Sequence, residues 1–213
     1  MIAMPVGLAI FLVKKWKLGW QTWWVGVVTF ILSQVGHIPF NLGMDTLLDR
    51  TGIVFWPLAA QQVFSAIFLG MSAGIFEETA RYFVLRFWLK KARSWRNGIL
   101  FGAGHGGAEA IILGVLVLTS FVSMLVIKNT NLADVVPATQ IELAQQQVAA
   151  YWSTPWYDSL LGALERLFTL PVQIALAVLV MQVFTRKNIL WLVYAILFHA
   201  LVDGSAVFLA PKL

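Results

Sequence analysis

Seven ionisable residues stand inside stretches of this sequence that are otherwise apolar. They are Glu77, Glu78, Arg81, His105, Glu109, His199 and Asp203. Carboxylates and imidazoles are the side chains that act as general acids and bases and that bind catalytic metal ions. The chain has no cysteine, which excludes a disulfide framework, a thiolate zinc site and a cysteine nucleophile. Any chemistry must therefore use carboxylates, histidines or hydroxyls.

The first three of these residues are spaced for an ion pair along one helix. Residues three or four positions apart are neighbours on a helix surface, so Arg81 can reach either Glu77 or Glu78. One glutamate paired with Arg81 is explained by charge neutralisation alone. The other glutamate is then left over for a further role.

The two histidines have a carboxylate four residues further along the chain. This spacing predicts that Glu109 lies beside His105 and that Asp203 lies beside His199. A carboxylate in that position fixes the tautomer and the orientation of the imidazole ring. Two histidines facing a pair of glutamates favour a functional site over an isolated histidine in a core.

The stretches around these residues have the composition of a membrane protein. Of the 213 residues 60% are hydrophobic and 12% are charged, and the mean hydropathy is +0.80, which excludes a water-soluble globular domain. A spanning helix needs about 20 apolar residues. The apolar runs cover residues 1–13, 20–36, 53–88, 99–127, 160–184 and 189–210. We predict an all-α, polytopic transmembrane bundle of about six spans, the first partial, as a single domain over residues 1–213.

The cations predict the orientation of this bundle. They cluster at Lys14 to Lys17, Lys90 to Arg96 and Arg186 to Lys187, and two crossings separate each cluster from the next. The positive-inside rule places all three clusters in the cytoplasm and both termini outside it. The net charge of +5 thus reflects topology rather than nucleic-acid binding. We expect a multi-pass protein of a bacterial cytoplasmic membrane.

Two further features belong to the membrane surface. The long segment 129–158 alternates glutamines with apolar residues, which indicates a short amphipathic helix. Counted from the basic clusters, His37, Glu165 and Arg166 reach the far boundary of the membrane, so we interpret them as interfacial residues.

Three of the ionisable residues fall at one depth. Glu77 stands 13 residues before Lys90, and at a rise of about 1.5 Å per residue this puts it roughly 20 Å from the basic clusters. The same count gives roughly 14 Å for His105 and roughly 18 Å for His199. Each buried charge costs about 2.5–3.5 kcal/mol on insertion scales. We therefore predict a shared polar site inside the membrane, reached by a hydrated cavity.

Glycines surround one of these residues. Gly98, Gly102 and Gly106 recur every four residues around His105, a spacing that lets a second helix approach closely and that could also leave room for substrate. The run Gly70 to Gly74 fits the G-x-S-x-G pattern of a nucleophile elbow, but inside a span it indicates packing. The sequence contains no H-E-x-x-H zinc motif.

Together the polar residues form three motifs that resemble a known family. Glu77-Glu78-x-x-Arg81, Phe101-x-x-x-His105 with its continuation to Glu109-Ala110, and His199-x-x-x-Asp203 resemble the motifs of the YhfC-type membrane proteins. That family is similar to the CAAX-protease and bacteriocin-processing superfamily and to the PrsW-type proteases. The resemblance implies a glutamate-dependent intramembrane endopeptidase without a cofactor.

The resemblance also implies roles for the residues. Glu77 and His105 would activate a water molecule, and His199 would donate to the tetrahedral oxygen. Two positions depart from the pattern of the CAAX proteases: the first motif is one residue shorter, and Asp203 replaces an asparagine. Because an ionised aspartate cannot donate to an oxyanion, we assign Asp203 the orientation of His199.

Two other interpretations stay open. Glu77, His105 and His199 form the carboxylate and two imidazoles that zinc takes in hydrolases, so a zinc-dependent protease is one. A proton-coupled transporter or membrane scaffold is the other, although the sequence lacks an inverted repeat. The expected partners are the lipid bilayer and a membrane-protein or lipidated peptide substrate, and no nucleic acid.

Overall fold

The computed structural model describes residues 1–209, and in this part of the chain the backbone forms α-helices and no strand. The helices are α1 (Ala3–Trp16), α2 (Gln21–Thr51), α3 (Leu58–Phe87), α4 (Trp95–Lys128), α5 (Ile141–Ser153), α6 (Asp158–Thr185) and α7 (Leu190–Leu209). The all-α prediction is confirmed.

Five of these helices in the described part are long and apolar enough to cross a membrane, namely α2, α3, α4, α6 and α7. Helix α1 has 14 residues and is roughly 21 Å long, so it is the partial span that the sequence predicts. The three basic clusters lie where α1, α3 and α6 end and where α2, α4 and α7 begin. We call this side of the bundle the basic end and the opposite side the outer end.

Helix α2 differs from the predicted span. It continues beyond Gly36, where the apolar run ends, through Pro39 to Thr51. Hydropathy falls there because Asn41 and Asp45 are polar, whereas a helical backbone needs no apolar side chain to continue. Proline inside a membrane helix is tolerated when neighbouring groups bond the freed carbonyl.

The segments that connect the spans also differ in detail from the prediction. Helix α3 begins at Leu58, later than the apolar run, because a short 3₁₀ turn at Ile53–Phe55 and Pro57 precede it. In the long outer segment, α5 is the short amphipathic helix that the sequence predicts.

Glycines set the helix crossings. A Cβ atom added to Gly104 of α4 would lie 2.1 Å from the carbonyl oxygen of Trp23, and one added to Gly26 of α2 would lie 2.2 Å from that of Phe101. The backbones of α2 and α4 therefore touch near the basic end. Gly70 meets the Ala200 carbonyl oxygen of α7 in the same way, at 2.4 Å, which confirms the packing interpretation of residues 70–74.

The glycine stripe around His105 packs on α6. A Cβ atom at Gly102 would lie 2.7 Å from the Ile174 Cα atom, and one at Gly106 would lie 2.7 Å from the Gln173 Cβ atom. The stripe therefore allows close approach of a helix, as small-xxx-small spacing does elsewhere. The alternative, room for substrate along this stripe, is wrong because α6 fills it.

The apolar core lies in the half of the bundle next to the basic end. One cluster joins α3, α4, α6 and α7 around Leu85, Phe101 and Leu176. A second cluster joins α1, α2 and α4 around Leu12 and Trp23. The polar site lies directly above this core, toward the outer end.

Candidate functional site

The carboxylate of Glu77 is where three helices meet. Its Oε2 atom lies 3.0 Å from His105 Nε2 on α4 and 4.0 Å from His199 Nε2 on α7. Arg81, one turn further along α3, places its Nη2 atom 3.4 Å from the same oxygen. The structure thus brings together the three residues that the depth count places in one layer.

The neighbouring glutamate faces a different direction. Glu78 is fully buried, and its Oε1 atom accepts a hydrogen bond from Arg81 Nη1 and lies 2.6 Å from His199 Nδ1. Arg81 therefore bonds closely to Glu78 and only at longer range to Glu77. The two adjacent glutamates divide the work that the sequence assigns to the pair: Glu78 neutralises Arg81, and Glu77 is the one left over.

Asp203 lies beside His199, as the four-residue spacing predicts. Its Oδ2 atom is 3.2 Å from His199 Nε2, in the geometry of an ion pair rather than of an aligned hydrogen bond. The Asp203 side chain is 40% exposed, whereas the ring of His199 is buried. The imidazole is therefore held between Glu78 on one nitrogen and Asp203 on the other.

Glu109 does not lie against His105, and that prediction is wrong. Glu109 Oε1 instead accepts a hydrogen bond of 2.5 Å from Arg166 Nη1, and its Oε2 accepts one of 2.9 Å from Gln173 Nε2. The four-residue spacing did not bring Glu109 to His105, because the Arg166 guanidinium on α6 is a stronger hydrogen-bond partner for a carboxylate than the His105 ring on the same helix. His105 Nδ1 is buried and bonds to no polar group in the described residues.

Two residues interpreted as interfacial lie inside the bundle. Arg166 is buried and bonds both Glu109 and Glu165. His37 places Nε2 3.1 Å from the hydroxyl of Ser72 on α3. The depth count placed both near the outer boundary, but it carries no information on which face of a helix points inward.

The sequence analysis missed two glutamines that belong to the site. Gln34 Nε2 donates to Glu77 Oε1 at 3.2 Å, and Gln173 accepts from Arg81 while donating to Glu109. Their signal was present in the sequence. A side-chain amide inside an apolar run needs hydrogen-bond partners as a charge does, so Gln34 and Gln173 carry the same signal as the ionisable residues.

A cleft opens beside this cluster, between α2 and α4. It has a volume of about 690 Å³, and three carboxylates from three helices line it, those of Glu77, Glu109 and Asp203. The rest of its wall is mostly apolar and includes residues on the outer surface of α2 and α4, such as Ile38 and Leu116. Since α2 and α4 touch at Gly26 and Gly104, the cleft lies on the outer side of their crossing.

The donor types at Glu77, His105 and His199 fit a zinc ion. Protein donors about 2.0–2.1 Å from a tetrahedral zinc are roughly 3.3 Å apart, and the contacts of 3.0 and 4.0 Å from Glu77 Oε2 bracket that separation. Arg81 Nη2, 3.4 Å from the same oxygen, opposes a second cation. In this structure His105 bonds Glu77 directly, and residues 1–209 hold no group of three such side chains arranged around a metal position.

The chain is similar to proteins already grouped as a family. The family model described as "YhfC intramembrane metalloprotease" matches residues 1–213. The "Uncharacterized membrane protein YhfC" of Bacillus subtilis (strain 168) is 30% identical over 210 residues, which cover 96% of this chain and 79% of that protein. No solved structure matches the chain significantly. Since the family model spans the whole sequence, the chain belongs to the YhfC family of membrane proteins.

Proposed function

We propose that the protein is an intramembrane endopeptidase in which Glu77 is the general base. The observation that carries the proposal is the meeting of Glu77, His105 and His199 from three helices, with the Glu77 carboxylate lining a cleft inside the membrane-spanning bundle. Buried ionisable residues of this kind mark functional sites in membrane proteins. The description of the family as a metalloprotease supports peptide hydrolysis as the reaction class.

In this proposal Glu77 and His105 act on one water molecule. The Glu77 carboxylate takes a proton as the water oxygen attacks the carbonyl carbon of the scissile bond. The same proton is then transferred to the amide nitrogen, and the C–N bond breaks to give an acid and an amine. His105 Nε2, 3.0 Å from Glu77 Oε2, orients the carboxylate and the attacking water.

His199 supplies the proposed oxyanion donor. Its Nδ1 atom bonds Glu78 at 2.6 Å, so in the doubly protonated ring Nε2–H is the donor left for the tetrahedral oxygen. The carboxylates of Glu78 and Asp203 on either side offset the charge of that ring. One such donor in a dry site stabilises a transition state by about 2.7–4 kcal/mol.

The remaining polar residues would hold this arrangement. Arg81 donates hydrogen bonds to both Glu78 and Gln173, and Gln173 in turn donates to Glu109 on the cleft wall. The substrate class follows from the wall itself, since apolar residues that face lipid line the mouth of the cleft. A membrane-embedded peptide, from a membrane protein or a lipidated chain, is the substrate that such a mouth admits.

Zinc dependence is a second candidate, and the donor set favours it. Glu77, His105 and His199 would hold the ion, which would lower the pKa of a bound water and polarise the carbonyl. The family description also names a metalloprotease. In that case Glu77 would be a ligand rather than the base.

The test is cleavage of transmembrane peptides by the purified protein in proteoliposomes. We expect Glu77→Gln to lower the rate about 10²- to 10⁴-fold, the usual contribution of a general base. Glu165→Gln is the matched control, because Glu165 is a largely exposed carboxylate on α6 that bonds only Arg166 among the described residues. Equal rates for Glu77→Gln and wild type would contradict the proposal. Proton-coupled uptake without any cleavage would favour the transporter.

A chelator separates the two protease mechanisms. Full activity in a preparation shown to be metal-free by elemental analysis supports the Glu77 base. Loss of activity that zinc restores, together with loss of bound zinc in His105→Ala, supports the metal. Both outcomes keep the peptidase and differ only in its chemistry.

A further inference from the structure

Helix α2 carries a row of polar side chains on the face that points into the bundle. We define the polar face of α2 as Gln34, His37 and Asn41, which follow one another at intervals of three and four residues. In a membrane-spanning helix such a row is costly unless its members find partners. Gln34 and His37 line the cleft beside Glu77, but the proposed mechanism gives none of the three a chemical step.

These side chains form a continuous hydrogen-bonded series that ends at Glu77. Asn41 Nδ2 lies 3.0 Å from His37 Nε2, and His37 Nδ1 lies 3.3 Å from Gln34 Oε1. Gln34 Nε2 then donates to Glu77 Oε1 at 3.2 Å. With the proton of His37 on Nδ1, every donor in the series points toward Glu77.

Beyond the hydrogen-bonded series, polar residues continue along α2 toward the outer end. Asn41 Oδ1 is buried and accepts no hydrogen bond from the described residues, so it has capacity for a water molecule. Asp45 and Asp49 follow at further intervals of four and are exposed. Both line a cavity of about 200 Å³ with Gln61 and Ser65, between the outer ends of α2 and α3.

From Gln34 toward the basic end, the structure offers no comparable polar path. Below Gln34 the buried face of α2 carries Phe30 and Gly26, and at Gly26 the backbone lies against α4. Ser33 and Thr29 are also buried there, but their hydroxyls already donate to backbone carbonyls of α2. Beneath that contact lies the apolar cluster around Trp23 and Leu12. A water molecule coming from the basic end would therefore find few hydrogen-bond partners along this stretch and none in the apolar cluster.

We propose that the polar face of α2 is the route by which water reaches Glu77, and that it opens at the outer end of the bundle. Each hydrolysed bond consumes one water molecule, and side-chain amides and an imidazole supply the two to four partners that a buried water needs. His37 is a positioning residue here, since it holds Gln34 against Glu77. The inference rests on the proposed function only in naming water as a reactant.

Cysteine accessibility tests the route without any assay of cleavage. The chain has no native cysteine, so single substitutions can be read without background. Gln34→Cys, His37→Cys and Asn41→Cys are treated with a charged, membrane-impermeant thiosulfonate in sealed vesicles of both orientations. Asp49→Cys and Lys91→Cys identify the outer and basic ends. Leu42→Cys and Leu32→Cys are matched controls, as these residues are 63% and 48% exposed and point to lipid at similar depths.

We expect the three cysteines on the polar face to react only from the side that labels Asp49→Cys. Their rates should exceed those of the lipid-facing controls at least about tenfold, since only a hydrated thiol forms the reactive thiolate. Reaction from the side that labels Lys91→Cys, rates equal to the controls, or no reaction at all three positions would each overturn the route. A labelled Asn41→Cys protein that also loses cleavage would link the route to hydrolysis. Correct labelling without any cleavage by wild type would leave the route standing and remove the peptidase.

Discussion

The two halves of the bundle are built on different principles. Next to the basic end, α2 and α4 are in backbone contact at Gly26 and Gly104, and leucines, a phenylalanine and alanines fill the interior. Toward the outer end, α2 and α4 separate around a cleft of about 690 Å³, and polar side chains point inward. A rigid base with an open upper half can hold reactive groups in a fixed geometry while leaving them accessible.

Two consecutive residues of α3, near the level where the halves meet, have different surroundings. Glu78 faces the closed side, where Arg81 and His199 bond it. Glu77 faces the cleft and contacts Gln34 and His105. One sequence motif thus supplies a carboxylate that is bonded inside the bundle and a second carboxylate that lines the cleft.

The largest effect is expected on the closed side, at Glu78. Glu78→Leu removes the buried carboxylate that the Arg81 guanidinium and the His199 ring share, and breaking such a buried pair costs about 3–5 kcal/mol in the free energy of unfolding. Glu77→Gln keeps a polar group at the cleft wall and should cost no more than about 1.5 kcal/mol. Unfolding of the purified proteins in mixed detergent micelles measures both.

A double variant sharpens this result. Glu78→Leu combined with Arg81→Leu removes both charges, so its loss of stability should be smaller than the sum of the two single losses. Additive losses would mean that the two side chains are not coupled. Equal destabilisation by Glu77→Gln and Glu78→Leu would contradict the assignment of a structural role to Glu78 alone.

A smaller effect is expected from the backbone contact of α2 with α4. The added Cβ atom in Gly104→Ala would lie 2.1 Å from a backbone oxygen, so the helices must separate, and overpacking of this kind costs about 1–3 kcal/mol. Gly43→Ala in the outer half of α2 meets no atom within 4 Å. It should be neutral or raise stability by up to about 1 kcal/mol, because alanine favours a helix.

Thermal unfolding of these two glycine variants compares the halves directly. Similar stabilities would show that the base is not more tightly packed than the outer half. The same pair can be tested for cleavage, where Gly43→Ala should match wild type.

The sequence predicts the half of the bundle next to the basic end better than the outer half, which contains the cleft. Apolar runs and basic clusters locate the spans, since burial in lipid and the positive-inside rule both act on composition. Helix periodicity and depth bring Glu77, His105 and His199 together, because a rise of 1.5 Å per residue is the same in every helix. These are local rules that need no knowledge of the neighbours.

The partners of the other polar side chains depend on contacts between helices, which local sequence rules do not predict. Glu109 shares a helix face with His105, yet it bonds Arg166 and Gln173, which are more than 50 positions away in the sequence. The depth count gave His37 a distance from the basic end but no side of α2, because the rotation of a helix depends on what packs against it. Gln34 and Gln173 are uncharged, so the pattern of ionisable residues does not include them.

The smallest effect is expected where the open half touches the site, at Asp203. Its side chain is 40% exposed, so Asp203→Asn should change stability by less than about 0.5 kcal/mol. In the proposed mechanism the substitution removes the charge that faces His199 Nε2, and we expect kcat to fall about tenfold with KM unchanged, which corresponds to about 1.4 kcal/mol in the transition state alone. Steady-state cleavage of a transmembrane peptide separates the two constants. A rise in KM without a change in kcat would instead assign Asp203 to substrate binding on the cleft wall, and the orientation of His199 would then rest on Glu78 alone.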